Sequence, residues 1–114
     1  MAGTHGRAVS ADRADRTSWS EWITAQEPAV GEAFGGLVTA AREMTAIAPA
    51  QRELTMFAVS CALRIRSSST AHARRALELG STRPELLHAV VLAALSAGLP
   101  AAVHGVGILR ELPE

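Results

Sequence analysis

A chain of 114 residues holds one domain, and its formal net charge of zero removes the electrostatic case for nucleic acid or an anionic membrane, both of which need a basic surface. Hydrophobic residues make up 48% of it but aromatics only 4%, so the core must be built largely from Ala, Val and Leu, which suits closely packed helices better than sheets. Its one cysteine, Cys61, excludes an intrachain disulfide and fits a reducing cytoplasm.

Residues 1–16 are small, charged and aperiodic. They read as a disordered arm before a helical domain over 17–114, with no apolar core to act as a signal peptide. Ser18 is placed to cap a short helix, SWSEWITAQE, in which Trp19, Trp22 and Ile23 share one side. That side reads as a packing face, with a lid or a subunit contact as the alternative. Pro28 opens a second helix, PAVGEAFGGLVTAAREM, whose Val30, Phe34, Leu37 and Ala41 recur at steps of three and four. Its Gly31, Gly35 and Gly36 each lower helix stability by up to about 1 kcal/mol relative to Ala, so close helix approach is expected as compensation.

The third helix, from Pro49 to Leu63, carries a core stripe of Leu54, Phe57, Ala58 and Cys61 that runs on to Ile65. Cys61 on that stripe reads as a buried small hydrophobe rather than a reactive thiol. Glu53 lies at its edge in the first turns, where the helix dipole favours a carboxylate whether or not it has a task. Ser67, Ser68 and Ser69 break the period and offer caps for a fourth helix over about Ser69 to Leu79, closed by Gly80. Thr82-Arg83-Pro84-Glu85 is a capping box that starts a fifth helix at Arg83. This helix continues through Leu86, Leu87, Val90, Val91, Ala94 and Leu95 to Gly98, and a sixth runs from Pro100 to about Leu112.

Ala89 to Leu109 contains no acidic or basic residue. Gly98-Leu99-Pro100 splits it into pieces shorter than the roughly 20 residues of a membrane span, so two buried helices are expected. Their apolar surplus exceeds what so small a chain can hide, which predicts a homo-oligomer. His5, His72, His88 and His104 show no metal-ligand spacing, and no metal is expected. His88 and His104 read as core or interface groups, and Arg74 and Arg75 as a solvated or intersubunit face. His72 is either a hydrogen-bonded interior group or a functional one. Arg64 and Arg66 either compensate the dipole of the third helix or meet an anion, and Ser68 is either a cap or a site residue.

RELTMFAVSCAL, then a short break, then AHARRALELGSTRPELLHAVVLAALSAGLPAAVHGVGIL resembles the carboxymuconolactone decarboxylase and alkylhydroperoxidase D-like family over about Gln51 to Leu109. The resemblance implies an all-α bundle of about six helices, alkylhydroperoxidase D-like, assembled as homotrimers or hexamers. In the family's redox branch a Cys-x-x-Cys pair lies between the Glu and the His, and its positions fall here on Ile65 and Ser68. Neither peroxide reduction nor disulfide exchange is expected by that route.

The decarboxylase branch lacks the pair and keeps the Arg-Glu start and the His, matched here by Arg52, Glu53 and His72. It implies a cofactor-independent acid/base lyase or isomerase on a small carboxylated or carbonyl metabolite. His72 would be its general acid/base, since an imidazole ordinarily titrates near 6.5, and Glu53 would orient it. The enolate-like charge that develops needs such a hydrogen-bonding group. Arg64 and Arg66 would receive a substrate carboxylate, and Ser68, four residues before His72, would share its face. Acidic residues that often follow the first helix in that branch are replaced by Arg64-Ile65-Arg66-Ser67-Ser68-Ser69, which leaves the lactone itself open as substrate. The alternative is a non-catalytic helical oligomer, a binding or scaffold protein in which Ile65 and its neighbours fill the space between the third and fourth helices.

Overall fold

Proline and glycine set most of the boundaries in this chain. The computed structural model describes residues 19–114, so the arm expected over 1–16 and the Ser18 cap lie outside the described residues. Among these residues there is no strand. Six helices are present: α1 (19–26), α2 (Pro28–Glu43), α3 (Pro49–Leu63), α4 (Arg66–Glu78), α5 (Arg83–Ala97) and α6 (Leu99–Glu111). The chain divides into two units, Met1–Thr45 and Ala46–Glu114.

In the first unit, α1 and α2 are joined through Glu27, with Pro28 in the opening turn of α2, where its missing N–H costs nothing. Trp19 meets Phe34 edge to face at 5.9 Å, so the tryptophan side of α1 packs on the apolar stripe of α2. Gly31 is buried against Thr24, where a Cβ would come within 2.1 Å of the Thr24 hydroxyl oxygen. The close approach expected of these glycines holds at Gly31 only, because Gly35 and Gly36 face open space.

The second unit is a bundle in which α3 packs against α4, α5 and α6. Phe57 and Cys61 of α3, Ala73 and Ala76 of α4, Leu86 and Val90 of α5, and Ala101 and Ile108 of α6 form its buried core. Small residues let the helices approach closely. At Gly105 a Cβ would fall 2.6 Å from a methyl of Val90, so α5 and α6 meet at a distance only glycine allows. Two expected boundaries stand as read: Thr82 and Glu85 form a reciprocal capping box, and Gly80 (φ 103°) closes α4 with Ser81 N–H donating to Ala76 C=O.

The junction between α3 and α4 is shorter than the sequence suggested. α3 ends with Arg64 in the left-handed region (φ 56°), Arg64 N–H donating to Cys61 C=O and Ile65 N–H to Ser60 C=O. That pair of bonds is a Schellman closure built on arginine instead of glycine. Ile65 is the N-cap of α4 and gives no side-chain cap, so the serines expected as caps occupy its first turn instead. Ile65 itself is 46% exposed and does not extend the core stripe.

Candidate functional site

α3 and α4 bring two pairs of polar side chains together. Glu53 faces His72, and Ser60 faces Ser68 with 2.7 Å between their hydroxyl oxygens. Ser68 and His72 of α4 thus both meet polar side chains of α3.

Glu53 is buried, and both of its oxygens are taken. His72 Nδ1 lies 2.7 Å from Oε1, Arg52 Nε donates to Oε2 at 3.1 Å, and a guanidinium nitrogen of Arg75 stands 3.9 Å from Oε1. Burial pushes the Glu53 carboxyl up, but hydrogen bonds from His72 and Arg52, with the charges of His72 and Arg75, more than offset it and hold the group below its ordinary value. Glu53 is thus an anion at neutral pH. A carboxylate has no proton to give, so Nδ1 of His72 is the donor, and the lone pair of a neutral ring resides on Nε2. Among the described residues none hydrogen-bonds Nε2, and the His72 side chain is 14% exposed.

A second histidine is held quite differently. His104 Nε2 lies 2.9 Å from the hydroxyl of Ser69, which donates its own proton to Ile65 C=O at 2.7 Å. With that proton committed, the hydroxyl accepts from Nε2–H, and α6 is tied to the α3–α4 junction. Burial lowers the pKa of His104, and the charges of Arg66 and Arg64 lower it further. Cys61 is buried beside the same serine, and burial pushes its thiol up although the Ser69 hydrogen bond pulls the other way. No thiolate is poised there.

Of the residues read as site candidates, the structure brings Glu53 and His72 together and sets Ser68 one turn away, bonded to Ser60. It places Arg64 and Arg66 where their charges act on His104, with Arg66 in an exposed ion pair with Glu111. The arginines at the Glu53 carboxylate are Arg52 and Arg75. Arg75 was read as a solvated or intersubunit face, yet its spacing of three from His72 put it on the same side of α4 and was the available signal. His88 is exposed, and it lines a groove of about 370 Å³ between α3 and α5 with Leu54, Ala58, Val59 and Leu92, on another face of α3. Among the described residues no group of three or more His, Cys, Asp or Glu is arranged to hold a metal ion, and no helix is long and apolar enough to cross a membrane.

Comparison with known proteins bears on this geometry. The family model described as the carboxymuconolactone decarboxylase family matches residues 28–111, which extends the likeness read from the sequence back through α2. No curated protein and no solved structure matches.

Proposed function

Because the chain belongs to the carboxymuconolactone decarboxylase family, we propose that it is a cofactor-independent acid/base enzyme, a lyase or isomerase acting on a small carboxylated or carbonyl metabolite. The observation that carries this reading is the pairing of His72 Nδ1 with the buried, ionised Glu53, which orients the ring and leaves Nε2 to act. In a decarboxylation the bond to the departing carboxyl carbon breaks and CO2 leaves. The electron pair is then held as an enolate until Nε2–H of His72 protonates carbon. The Glu53 carboxylate stabilises the imidazolium that precedes that transfer, as the aspartate of a hydrolase triad does. For an isomerisation, neutral Nε2 takes a proton from carbon and returns it elsewhere on the same molecule.

A peroxidase reading finds no support in the thiol chemistry. Ile65 and Ser68 stand at the redox positions, and Cys61 is buried with a raised pKa. The scaffold reading expected Ile65 to fill the space between α3 and α4, and an exposed Ile65 does not favour it. Self-association belongs to the proposed reading, because Leu92, Leu95, Leu99 and Val103 are exposed on the charge-free run, Leu95 by 79%. A free, buried Cys61 supports a reducing compartment, the cytoplasm.

The test is turnover. Carboxymuconolactone and a panel of β-keto and unsaturated carboxylic acids are assayed for CO2 release and for double-bond migration. His72→Gln is expected to lower the rate on whichever compound is accepted by about 10²–10⁴-fold. Near-wild-type turnover of that variant would sink the proposal.

A further inference from the structure

The second polar pair between α3 and α4 is bonded in a way that the other helical hydroxyls are not. Thr24, Thr55 and Ser69 each donate to the carbonyl four residues back, a common fate of a hydroxyl inside a helix. Ser60 and Ser68 instead meet each other at 2.7 Å. Burial sets the direction of that bond. Ser60 is 4% exposed, and among the described residues Ser68 is the hydrogen-bond partner of its hydroxyl. A buried hydroxyl proton without an acceptor is costly, so Ser60 donates and Ser68 accepts. Ser68 is half-buried, and its own proton is then uncommitted. It lies four residues, about one turn, before His72, whose Nε2 is unbonded too.

We infer that Ser68 donates a hydrogen bond to the substrate oxygen on which enolate charge develops, and that Ser60 is the positioning residue that aims it. The inference rests on the proposed acid/base reading and supplies what that reading lacks, a partner for the oxygen. Whether the electron pair comes from a C–H bond or from the bond to a departing carboxyl carbon, it ends as a C=C bond with the charge on the carbonyl oxygen. His72 Nε2 is occupied with the proton that leaves or joins carbon, so a different group must meet that oxygen. Glu53, an anion, would repel it. The Ser68 proton stays on Ser68 throughout. Because Ser68 accepts from Ser60, its own O–H is polarised and becomes the stronger donor.

The experiment is a titration of the full chain with para-nitrophenolate at alkaline pH, followed by its absorbance. A phenolate oxygen carries the charge of an enolate without reacting, and nitrobenzene serves as the uncharged control of similar shape. The phenolate is expected to bind saturably and nitrobenzene to bind more weakly by about tenfold or more. Ser68→Ala should weaken the phenolate by about ten- to hundredfold, the scale of a hydrogen bond to a charged group, and Ser68→Thr, which keeps the hydroxyl, should fall between. Ser60→Ala should cost less, about two- to fivefold, and adding it to Ser68→Ala should cost nothing more, because Ser60 acts only through Ser68. Additive losses would make Ser60 merely structural and overturn its part. Persistence of the His72 Nδ1–H resonance in Ser68→Ala separates loss of a donor from loss of the Glu53 contact. Wild-type phenolate affinity in Ser68→Ala, or no saturable phenolate binding, overturns the inference whatever the turnover of His72→Gln. Full turnover by His72→Gln together with phenolate held through Ser68 would fell the acid/base reading and leave the hydroxyl donor standing.

Discussion

His72 and His104 lie in the same four-helix unit, each partly buried and each hydrogen-bonded through one ring nitrogen, yet their surroundings fit them for opposite tasks. His72 is bonded through Nδ1 to the Glu53 carboxylate, which orients the ring and leaves its other nitrogen unbonded. His104 is bonded to a hydroxyl whose own proton is spent on Ile65 C=O, and burial, with the charges of Arg66 and Arg64, holds its pKa down. A carboxylate partner on one ring and a hydroxyl with a committed proton on the other separate a group placed to cycle a proton from one that fastens α6 to the α3–α4 junction.

The largest expected effect sets the two rings directly against each other. His72→Gln should cost about 10²–10⁴ in turnover while His104→Gln stays within about threefold of wild type, because only the first removes a proton carrier. Equal losses in both variants would break the comparison. Glu53→Gln comes next. It removes the anion from His72, Arg52 and Arg75 at once, and should lower unfolding stability by about 2–3 kcal/mol, as for loss of hydrogen bonds to a charged group. Ser69→Ala, which releases His104 and Ile65 C=O together, should cost about 1–2 kcal/mol in chemical denaturation and leave the His72 Nδ1–H resonance in place.

Acid titration of stability separates the two sites by pH. The folded pKa of His104 is depressed, so the unfolded chain takes up this proton first, and stability falls as pH drops below about 6.5. His104→Gln should flatten that limb. The folded pKa of Glu53 is also depressed, from an ordinary value of 4.5, so its contribution is present above that pH and is lost as pH falls further through the folded value. Glu53→Gln should flatten only this lower limb, as read by denaturant midpoints across the range.

Much of this was legible in the sequence because it is written locally. Pro28, Pro49, Gly80 and the Thr82–Glu85 box announce helix ends through the backbone of their own turn, and the Phe57 and Cys61 stripe follows from helical spacing. Glu53 and His72 were legible through a family pattern that spans both helices. What escaped is what depends on how one helix turns against another. Neither Arg75 beside Glu53 nor His104 against Ser69 has a local marker beyond a spacing that many solvated residues share. Arg64 was hidden for a different reason: glycine is the usual signal for a left-handed closure, and here arginine takes the position.

That arginine supplies the smallest and most selective way to sharpen the contrast. An L-residue in the left-handed region is strained by roughly 1–2 kcal/mol, and glycine is not, although glycine also loses more freedom on folding. Arg64→Gly should therefore gain up to about 1 kcal/mol while keeping the junction, because the closing bonds run from the backbone N–H groups of residues 64 and 65. The same change removes one of the two cations that depress His104, so its pKa should move up toward the ordinary imidazole value. His72 should keep its Nδ1–H resonance, since Glu53 answers to Arg52 and Arg75 and not to Arg64. An unmoved His104 titration in Arg64→Gly would show that burial and the charge of Arg66 set its state without Arg64, and the contrast between the two histidines would then rest on the hydroxyl and the carboxylate they touch.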